Sequence, residues 1–538
     1  MFRIQTLFAV LSLFLFTGFL TRPGSAGERP NILLMMVDDL GFSDIGCYGS
    51  EIKTPNLDRL AKNGIRFTQF YNCAKCETTR STLLSGRYYA EVGNQKLQNC
   101  ITFAEGLKTA GYQTIMTGKW HLQKDPIDKG FDKYFGHLSG ATNFFTGDNT
   151  FRFGKEKFKV PETGFYTTDA NVDYAIRFLE ESKESDDPFL LYVAFNAPHY
   201  PLQAPEQDVR KYLGQYQGGW DKLRQERFAR QKEMGLFPKE TNLTHRPEDV
   251  PAWDSLTAEQ QTHEDLMMAT FAAMVDRVDQ NIGRLLDHLE KNGELDNTLI
   301  MFLSDNGACP FQRSKKKSID GKLKPWDPES YWTYDKGWAH AGNTPFREYK
   351  QNQHEGGINT PFIVHWPQGI QSNLRGKFFR EPAHLVDILP TMLDVAKAEY
   401  PRTFESRAVG PARGISLLPA CNGQGLQRKD PLLFSFYGKN NAMRKGDHKI
   451  VNIDFKKFEL FDLTKDRTEM EDLSKSNPEL FSKMKQEMLS QFERVGFQVK
   501  KKNAKKNSKK SGKPNNNKSG RNSKKNNPRQ NVSKSSQP

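Results

Sequence analysis

The chain has 538 residues, 78 Lys and Arg against 64 Asp and Glu, and a formal net charge of +14. That length exceeds what one small core needs and predicts a large α/β domain with a smaller addition, or two domains. Six cysteines are too few to staple so long a chain, which excludes a disulfide-framed miniature fold and leaves each cysteine to be read singly.

In chain order, residues 1–26 carry Arg3, an apolar run from Leu7 to Leu20, and the small residues Gly24, Ser25 and Ala26. This is the pattern of a cleaved secretory signal ending at Ala26. The run is shorter than the roughly 20 residues that span a bilayer, so a secreted or periplasmic protein is expected, not an integral membrane protein. Residues 32–37 are unbroken apolar and stop at Asp38-Asp39-Leu40-Gly41, as a strand buried on both faces would. Residues 56–63 read as a helix. Ile65, Phe67 and Phe70 then suggest an extended segment, and residues 79–84 suit a helix that begins just beyond Cys76 and aims backbone N–H groups at it. Further strands are expected at 112–116, 189–195 and 299–303. Apolar residues stepping by three or four from Met267 to Leu289 mark a long core-packing helix before the last of these.

Strands alternating with helices predict a mainly parallel sheet covered on both faces, with ligand sites at the carboxyl ends of its strands. From about residue 430, alternating runs at 448–453 and 458–463 and a helix from 478 to about 497 predict a small α+β subdomain. The expected organisation is a signal at 1–26, a catalytic domain at 27–425, the subdomain at 426–497, and a tail at 498–538. Residues 500–538 hold twelve Lys, two Arg and no acid, which accounts for the entire net charge. Nearly devoid of apolar residues, this tail is expected to be disordered, serving either as a solubility tail or as a polybasic arm for polyanions. No specific nucleic-acid partner is expected.

Asp38-Asp39 and Ser304-Asp305-Asn306-Gly307 are each weak signals, since acidic pairs end strands and Asn-Gly makes turns. Together, two strand ends that supply carboxylate and amide oxygens fit a calcium or magnesium site, and zinc is less natural because neither cluster holds a His. Gly118-Lys119-Trp120-His121, Ala197-Pro198-His199 and Tyr349-Lys350 add two ammonium groups and two imidazoles. That combination suits an anionic ester, with cations holding the anion and imidazoles moving protons. Cys73-Ala74-Lys75-Cys76 also has the spacing of a redox pair or half a zinc site.

These segments carry a resemblance. Asp38-Asp39-Leu40-Gly41, Thr54-Pro55-Asn56-Leu57-Asp58-Arg59-Leu60, Cys76-Glu77-Thr78-Thr79-Arg80, Leu84-Ser85-Gly86-Arg87, Gly118-Lys119-Trp120-His121, Ala197-Pro198-His199, Ser304-Asp305-Asn306-Gly307 and His354-Glu355-Gly356-Gly357 closely resemble, in order, the type I sulfatases. Asn343-Thr344-Pro345-Phe346-Arg347 and the stretch 220–232 look most like bacterial arylsulfatases.

The resemblance implies an alkaline-phosphatase-like fold and conversion of Cys76 to formylglycine by a maturation enzyme. It implies one calcium ion on Asp38, Asp39, Asp305, Asn306 and the modified Cys76. It also implies that Arg80 and Lys119 steady an aldehyde hydrate, Lys119 and Lys350 hold sulfate oxygens, His199 protonates the leaving alcohol, and His121 helps break down a sulfated hemiacetal. The expected substrate is a sulfate monoester of a carbohydrate or aryl alcohol, including sulfated polysaccharide. Departures are Thr78 where the pattern has Pro, the carboxylate of Glu77 beside Cys76, Gln123 and Ala308-Cys309 in place of glycines, and no His in segment 434–441. A phosphoesterase of the same superfamily and a non-catalytic binder of sulfated glycan are the other readings. Trp332 and Trp338 offer faces for a sugar ring or simply pack an insertion.

Overall fold

The structure, a computed structural model, describes residues 29–497. The expected signal and the basic tail therefore lie outside the described residues. Among the described residues, no helix is long and apolar enough to cross a membrane.

Eleven strands build the main sheet: β1 (Asn31–Val37), β2 (Ile65–Tyr71), β3 (Gln113–Gly118), β4 (Lys133–His137), β5 (Phe151–Phe153), β6 (Glu156–Lys157), β7 (Phe189–Ala194), β8 (Thr298–Ser304), β9 (Asn359–His365), β10 (Phe378–Phe379) and β11 (Ala383–His384). The order is β10-β2-β9-β8-β1-β7-β3-β4-β5-β6, with β11 also on β2. The centre, β8-β1-β7-β3-β4, is parallel. β9 runs antiparallel to both β8 and β2, which makes β2 co-directional with the centre. The carboxyl ends of β1, β2, β3, β7 and β8 thus open on one edge, where a mainly parallel sheet places its ligands.

Both faces of the sheet are buried, as the unbroken apolar run of β1 predicts. Leu33, Met35 and Val37 join one core with the long helix Ala258–Lys291 and the helix Thr167–Ser182. Ile32, Leu34 and Met36 join the other, with Leu83 and Leu84 of the helix Cys76–Ser85. Thr257 and Gln260 form a reciprocal capping box that fixes the start of the long helix, a device that stabilises by about 1 kcal/mol.

A four-stranded antiparallel sheet (Leu432–Phe436, Asn440–Lys445, His448–Ile453, Lys457–Asp462) follows, packed under the helix Pro478–Val495. The predicted strands and helices near the site all form, with ends shifted by one to three residues. The antiparallel β9 is not among the sequence expectations.

Candidate active site

Most candidate side chains hang from a strand end or the first turns of a helix, and Lys350 comes from the turn before the short helix Glu355–Ile358. Asp38 and Asp39 follow β1, Lys119 follows β3, His199 lies in the loop after β7, and Asp305 and Asn306 follow β8. Gly118 has φ +97°, and a Cβ there would sit 2.0 Å from the Ala194 carbonyl oxygen, so only glycine lets β3 turn and deliver Lys119 inward. Gly307 is required by close approach, since its Cβ would meet the Gly356 carbonyl oxygen at 1.9 Å. Asp39 and His121 both adopt left-handed φ, at +65° and +58°. Such strain in residues other than glycine concentrates at functional sites, and here Asp39 N–H donates to Asp305 Oδ1 at 3.2 Å.

Cys76 is the first residue of its helix and is buried. Its thiol lies 3.4 Å from Asp38 Oδ1, 3.6 Å from Asn306 Oδ1 and 3.2 Å from Lys350 Nζ. Arg80, one turn on, donates to Asp38 Oδ2 at 3.0 Å and to the Lys119 carbonyl at 2.6 Å. Lys119 ion-pairs with Asp38, and Lys350 with Asp39. Asn306 donates to Asp39 Oδ1 at 2.7 Å. Thr79, inside the Cys76–Arg80 signature, donates to the Asp305 carbonyl at 2.7 Å and pins β8's end to the helix that Cys76 begins.

Asp38, Asp39, Cys76 and His199 present ligand atoms that all lie within 4.8 Å of one another. The structure therefore brings an imidazole up to a carboxylate group that could hold a metal ion, where the separate sequence motifs supply oxygens alone. Asp39 Oδ2 and Asp305 Oδ2 are buried without a hydrogen-bond partner. Buried carboxylate oxygens are rarely left unsatisfied, so these two, flanking the same pocket as the Asn306 amide oxygen, fit a hard divalent cation.

Burial raises Asp38, but Lys119, His199, Arg80 and Lys350 outweigh it and hold the carboxyl well below the usual range. Asp305 goes the other way, to about 7, through burial and repulsion from Asp38 that Arg80 and Lys119 only partly offset. Burial pushes the Cys76 thiol well up, with Asp305 and Asp38 adding to it. Burial brings His199 down to about 4 despite Asp39. Its Nδ1 faces the Tyr200 carbonyl at 2.8 Å, which only accepts, so that nitrogen carries the proton and Nε2, 3.5 Å from Asp39, keeps its lone pair. His121 is also held neutral by burial and by the Lys119 and Arg80 charges, and its Nδ1 has no partner. None of the described hydrogen bonds joins His121 to Cys76, whereas the other candidates form one contact network.

Thr78 donates to the Lys75 carbonyl at 2.9 Å and sits in the helix's first turn, where backbone N–H groups lack helical partners. Thr in place of Pro therefore fits the same backbone. Cys73 points away from the site, its sulfur 3.4 Å from Thr82 Oγ1, and all six cysteines are unbonded. Glu77 is held by Lys75 at 2.6 Å and by the Tyr437 hydroxyl at 2.9 Å. Tyr437 lies 360 residues away in the chain, a partnership no local pattern announces. Trp338 is buried against Trp220 and Trp253, and Trp332 against His263, so both pack the insertion.

Comparison with known proteins agrees with this geometry. The sulfatase family profile matches residues 30–398, and a profile for the C-terminal part of N-sulphoglucosamine sulphohydrolase matches 348–495. The chain belongs to the sulfatase family. It is an enzyme of sulfate ester hydrolysis with an alkaline-phosphatase-like fold. It is 33% identical to an uncharacterized sulfatase of Schizosaccharomyces pombe, over 85% of this chain and 92% of the relative. It is 32% identical to an arylsulfatase of Klebsiella aerogenes, over 72% of this chain and 91% of that one. Among solved structures, Ps i-CgsB in complex with k-i-k-neocarrahexaose superposes with a TM-score of 0.62 at 28% identity, covering 86% of this chain and 93% of the other.

Proposed function

We propose that this sulfatase cleaves sulfate monoesters of carbohydrates, using Cys76 after conversion to formylglycine and a calcium ion held by Asp38, Asp39, Asp305, Asn306 and the modified Cys76. The observation that carries the reading is the position of Cys76: a helix-start side chain within reach of Asp38, Asn306 and Lys350, beside two carboxylate oxygens without partners. As a thiol it is a poor nucleophile, because burial among carboxylates keeps it protonated. A formylglycine hydrate at Cys76 would supply one hydroxyl to attack sulfur and a second to let sulfate leave, and a calcium ion held by the residues named would neutralise the oxygens gathered there. A maturation enzyme that oxidises Cys76 is therefore a required partner.

The chain's own residues do the rest. Three buried carboxylates face three buried cations, Arg80, Lys119 and Lys350, so a divalent cation would leave the pocket positive and receptive to a sulfate monoanion. Lys119 and Lys350 would hold sulfate oxygens. His199 would have to take a proton from solvent onto Nε2 before giving it to the departing alcohol, Asp305 would accept the proton of the attacking hydroxyl, and neutral His121 would serve as a base. The carbohydrate preference follows the oligosaccharide complex of the related structure. The leader-like N-terminal sequence supports export to the periplasm or beyond.

Peptide mass spectrometry of protein made in a host that matures sulfatases should find Cys76 as the aldehyde. Sulfate release from aryl and sugar sulfates should track the converted fraction. Turnover by fully unconverted protein would overturn the mechanism, and phosphate release exceeding sulfate release from matched esters would overturn the substrate class.

A further inference from the structure

A cavity of about 490 Å³ opens on the flank of the main sheet, with Lys96, Leu97, Asn99, Lys124, Lys129 and Arg407 among its walls. None of these residues belongs to the Cys76 site. The cavity also reaches away from the catalytic edge. The Lys129 carbonyl accepts from Thr102 Oγ1 at 2.7 Å, and the next carbonyl, Gly130, accepts from Thr114 Oγ1 at 2.7 Å. Thr114 is the second residue of β3, whereas Lys119 follows its last. A strand rise of about 3.3 Å per residue therefore sets this lower wall roughly 16 Å along the sheet from Lys119.

The upper walls are held in strained backbone. Leu97, Asn99 and Lys124 have left-handed φ of +50°, +52° and +64°, uncommon outside glycine and most of all for Leu. Each is pinned from outside its own turn. Lys129 Nζ donates to the Leu97 carbonyl at 3.0 Å, Arg87 and the Gly410 N–H to the Asn99 carbonyl at 2.8 and 3.0 Å, and Trp120 Nε1 to the Lys124 carbonyl at 2.7 Å.

Four cations line this fixed frame with little to neutralise them. Arg407 pairs with Glu105 at 2.6 Å and with the exposed Glu405 at 3.5 Å, but among the described residues Lys96, Lys124 and Lys129 have no carboxylate at ion-pair distance. Glu105 is already committed, since its Oε1 takes Arg407 and its Oε2 accepts from the Thr102 N–H at 2.8 Å to cap the helix Phe103–Thr109. Asp128, in the same loop as Lys124, pairs with Lys155 at 2.5 Å. Arg407 Nε is buried without a partner. Lys129 is only 6% exposed, and its bond to Leu97 uses one of the ammonium's donors and leaves the others for the cavity. Burial holds Lys129 below the usual lysine range, Glu105 pulls it back up, and Arg407 and Lys124 push it down again, so these cations lie close enough to repel one another. Like charges gathered around a water-filled cavity concentrate anions there, and cationic N–H donors without partners are what an oxyanion satisfies.

We propose that this flank cavity is a second oxyanion site, which takes a sulfate or phosphate group separately from the scissile ester. Lys129 and Arg407 supply the inner donors, and Lys96 and Lys124 the outer ones. The volume falls within the roughly 300–1,000 Å³ of sites for small organic ligands, so the group can arrive on a sugar as well as free. Binding here needs neither Cys76 nor a metal ion, so the site stands or falls apart from the sulfatase mechanism.

The test compares the full chain with its K96A/K124A variant at fixed ionic strength in chloride, inorganic sulfate, inorganic phosphate and a sulfated disaccharide. Both lysines are exposed, so the variant should fold as the parent does. Residues 500–538 are the same in both proteins, so their charges cancel in the comparison. Lysine acylation read by peptide mass spectrometry locates the probes: in the parent, a bound oxyanion should slow acylation of Lys96 and Lys124 severalfold relative to chloride. Calorimetry should find binding about tenfold weaker in the variant, the scale of two charge-assisted contacts at a partly exposed site. Turnover of 4-nitrophenyl sulfate should stay within about twofold. Protection by the inorganic ions assigns a site for the free oxyanion, and protection by the disaccharide alone assigns one for a group carried on a sugar. Acylation that no probe slows beyond chloride, or binding equal in both proteins, sinks the site whether or not the enzyme turns over. A fall in turnover that matches the fall in binding would make the cavity part of the Cys76 machinery and overturn its independence.

Discussion

The protein buries two dense clusters of charge, and they are built on opposite terms. Around Cys76, Asp39 Oδ2 and Asp305 Oδ2 are left without hydrogen bonds. In the second cluster, Glu355 has both oxygens engaged: Oε1 by Lys449 at 2.8 Å, and Oε2 by Tyr71 and Asn359 at 3.0 Å and Arg467 at 3.3 Å. Lys449 also pairs with Glu469 at 2.8 Å, and Glu469 accepts from the Glu355 N–H at 2.6 Å. The first cluster holds unmet valence for something that comes and goes. The second is closed on itself and clamps the C-terminal sheet to β2 and β9. Burial and charge alone do not mark an active site. The difference is that Glu469 Oε1, also without a hydrogen bond, has Lys449 at 2.8 Å, whereas Asp39 Oδ2 and Asp305 Oδ2 have only His199 at 3.5 Å and Arg80 at 3.7 Å.

The contrast can be broken by substitution. Cys76→Ala should reduce sulfate release by at least about a thousandfold, as loss of a covalent nucleophile does, with the unfolding midpoint unchanged. A cooperative melt together with residual turnover near the parent's would show that the two clusters had been assigned the wrong roles. Lys449→Met should do the reverse. Removing one partner of a buried ion pair lowers stability by about 3–5 kcal/mol in denaturant titration, while kcat per folded molecule holds.

Acid should separate the clusters as well. Glu355 is driven up by burial but pulled down to about 2 by Lys449, Arg467 and Arg444. Its folded-state value lies below the ordinary 4.5, so its contribution is complete above that value and is lost as pH falls toward about 2. The contribution is about 3 kcal/mol at neutral pH, and Glu355→Gln should flatten the stability curve in that acid window. A curve of unchanged slope would count against the clamp. Calcium removal should act only on the open cluster. Chelation should lower the unfolding free energy by about 2.7 kcal/mol when calcium had stood at a hundredfold its dissociation constant, and Asp39→Asn should shrink that difference. The smallest effect belongs to the rim. Tyr437→Phe takes one donor from Glu77 and should change stability or kcat/KM by about 1 kcal/mol, read in parallel melts and kinetics.

Much of the active cluster is legible in the sequence because its residues sit at the ends of local signals. An apolar run that stops at Asp38-Asp39 announces both the strand and the carboxylates at its end, and the Cys76–Arg80 spacing puts thiol and guanidinium one helical turn apart. The approach of His199 to Asp39 is less legible, since it depends on how β7 lies against β1. β9 escapes because its seven buried residues include Asn, Thr, Pro and His, which blur the strand pattern. His354-Glu355-Gly356-Gly357 reads as one more family motif, yet His354 pairs with Glu459 at 2.6 Å and Glu355 with Lys449, partners about a hundred residues away that no local window contains.

The clamp also bears on how the chain can be cut and recombined. The two family profiles overlap over residues 348–398, and that shared stretch holds Lys350, which faces Cys76, only five positions before Glu355, which faces Lys449. A chimera spliced near residue 425 would take Lys350 and Cys76 from one parent but Glu355 and Lys449 from different ones. Exchange of C-terminal regions between relatives should succeed only where Glu355, Lys449 and Glu469 travel as a set, so the unit of inheritance here is a charge pattern that straddles the visible boundary.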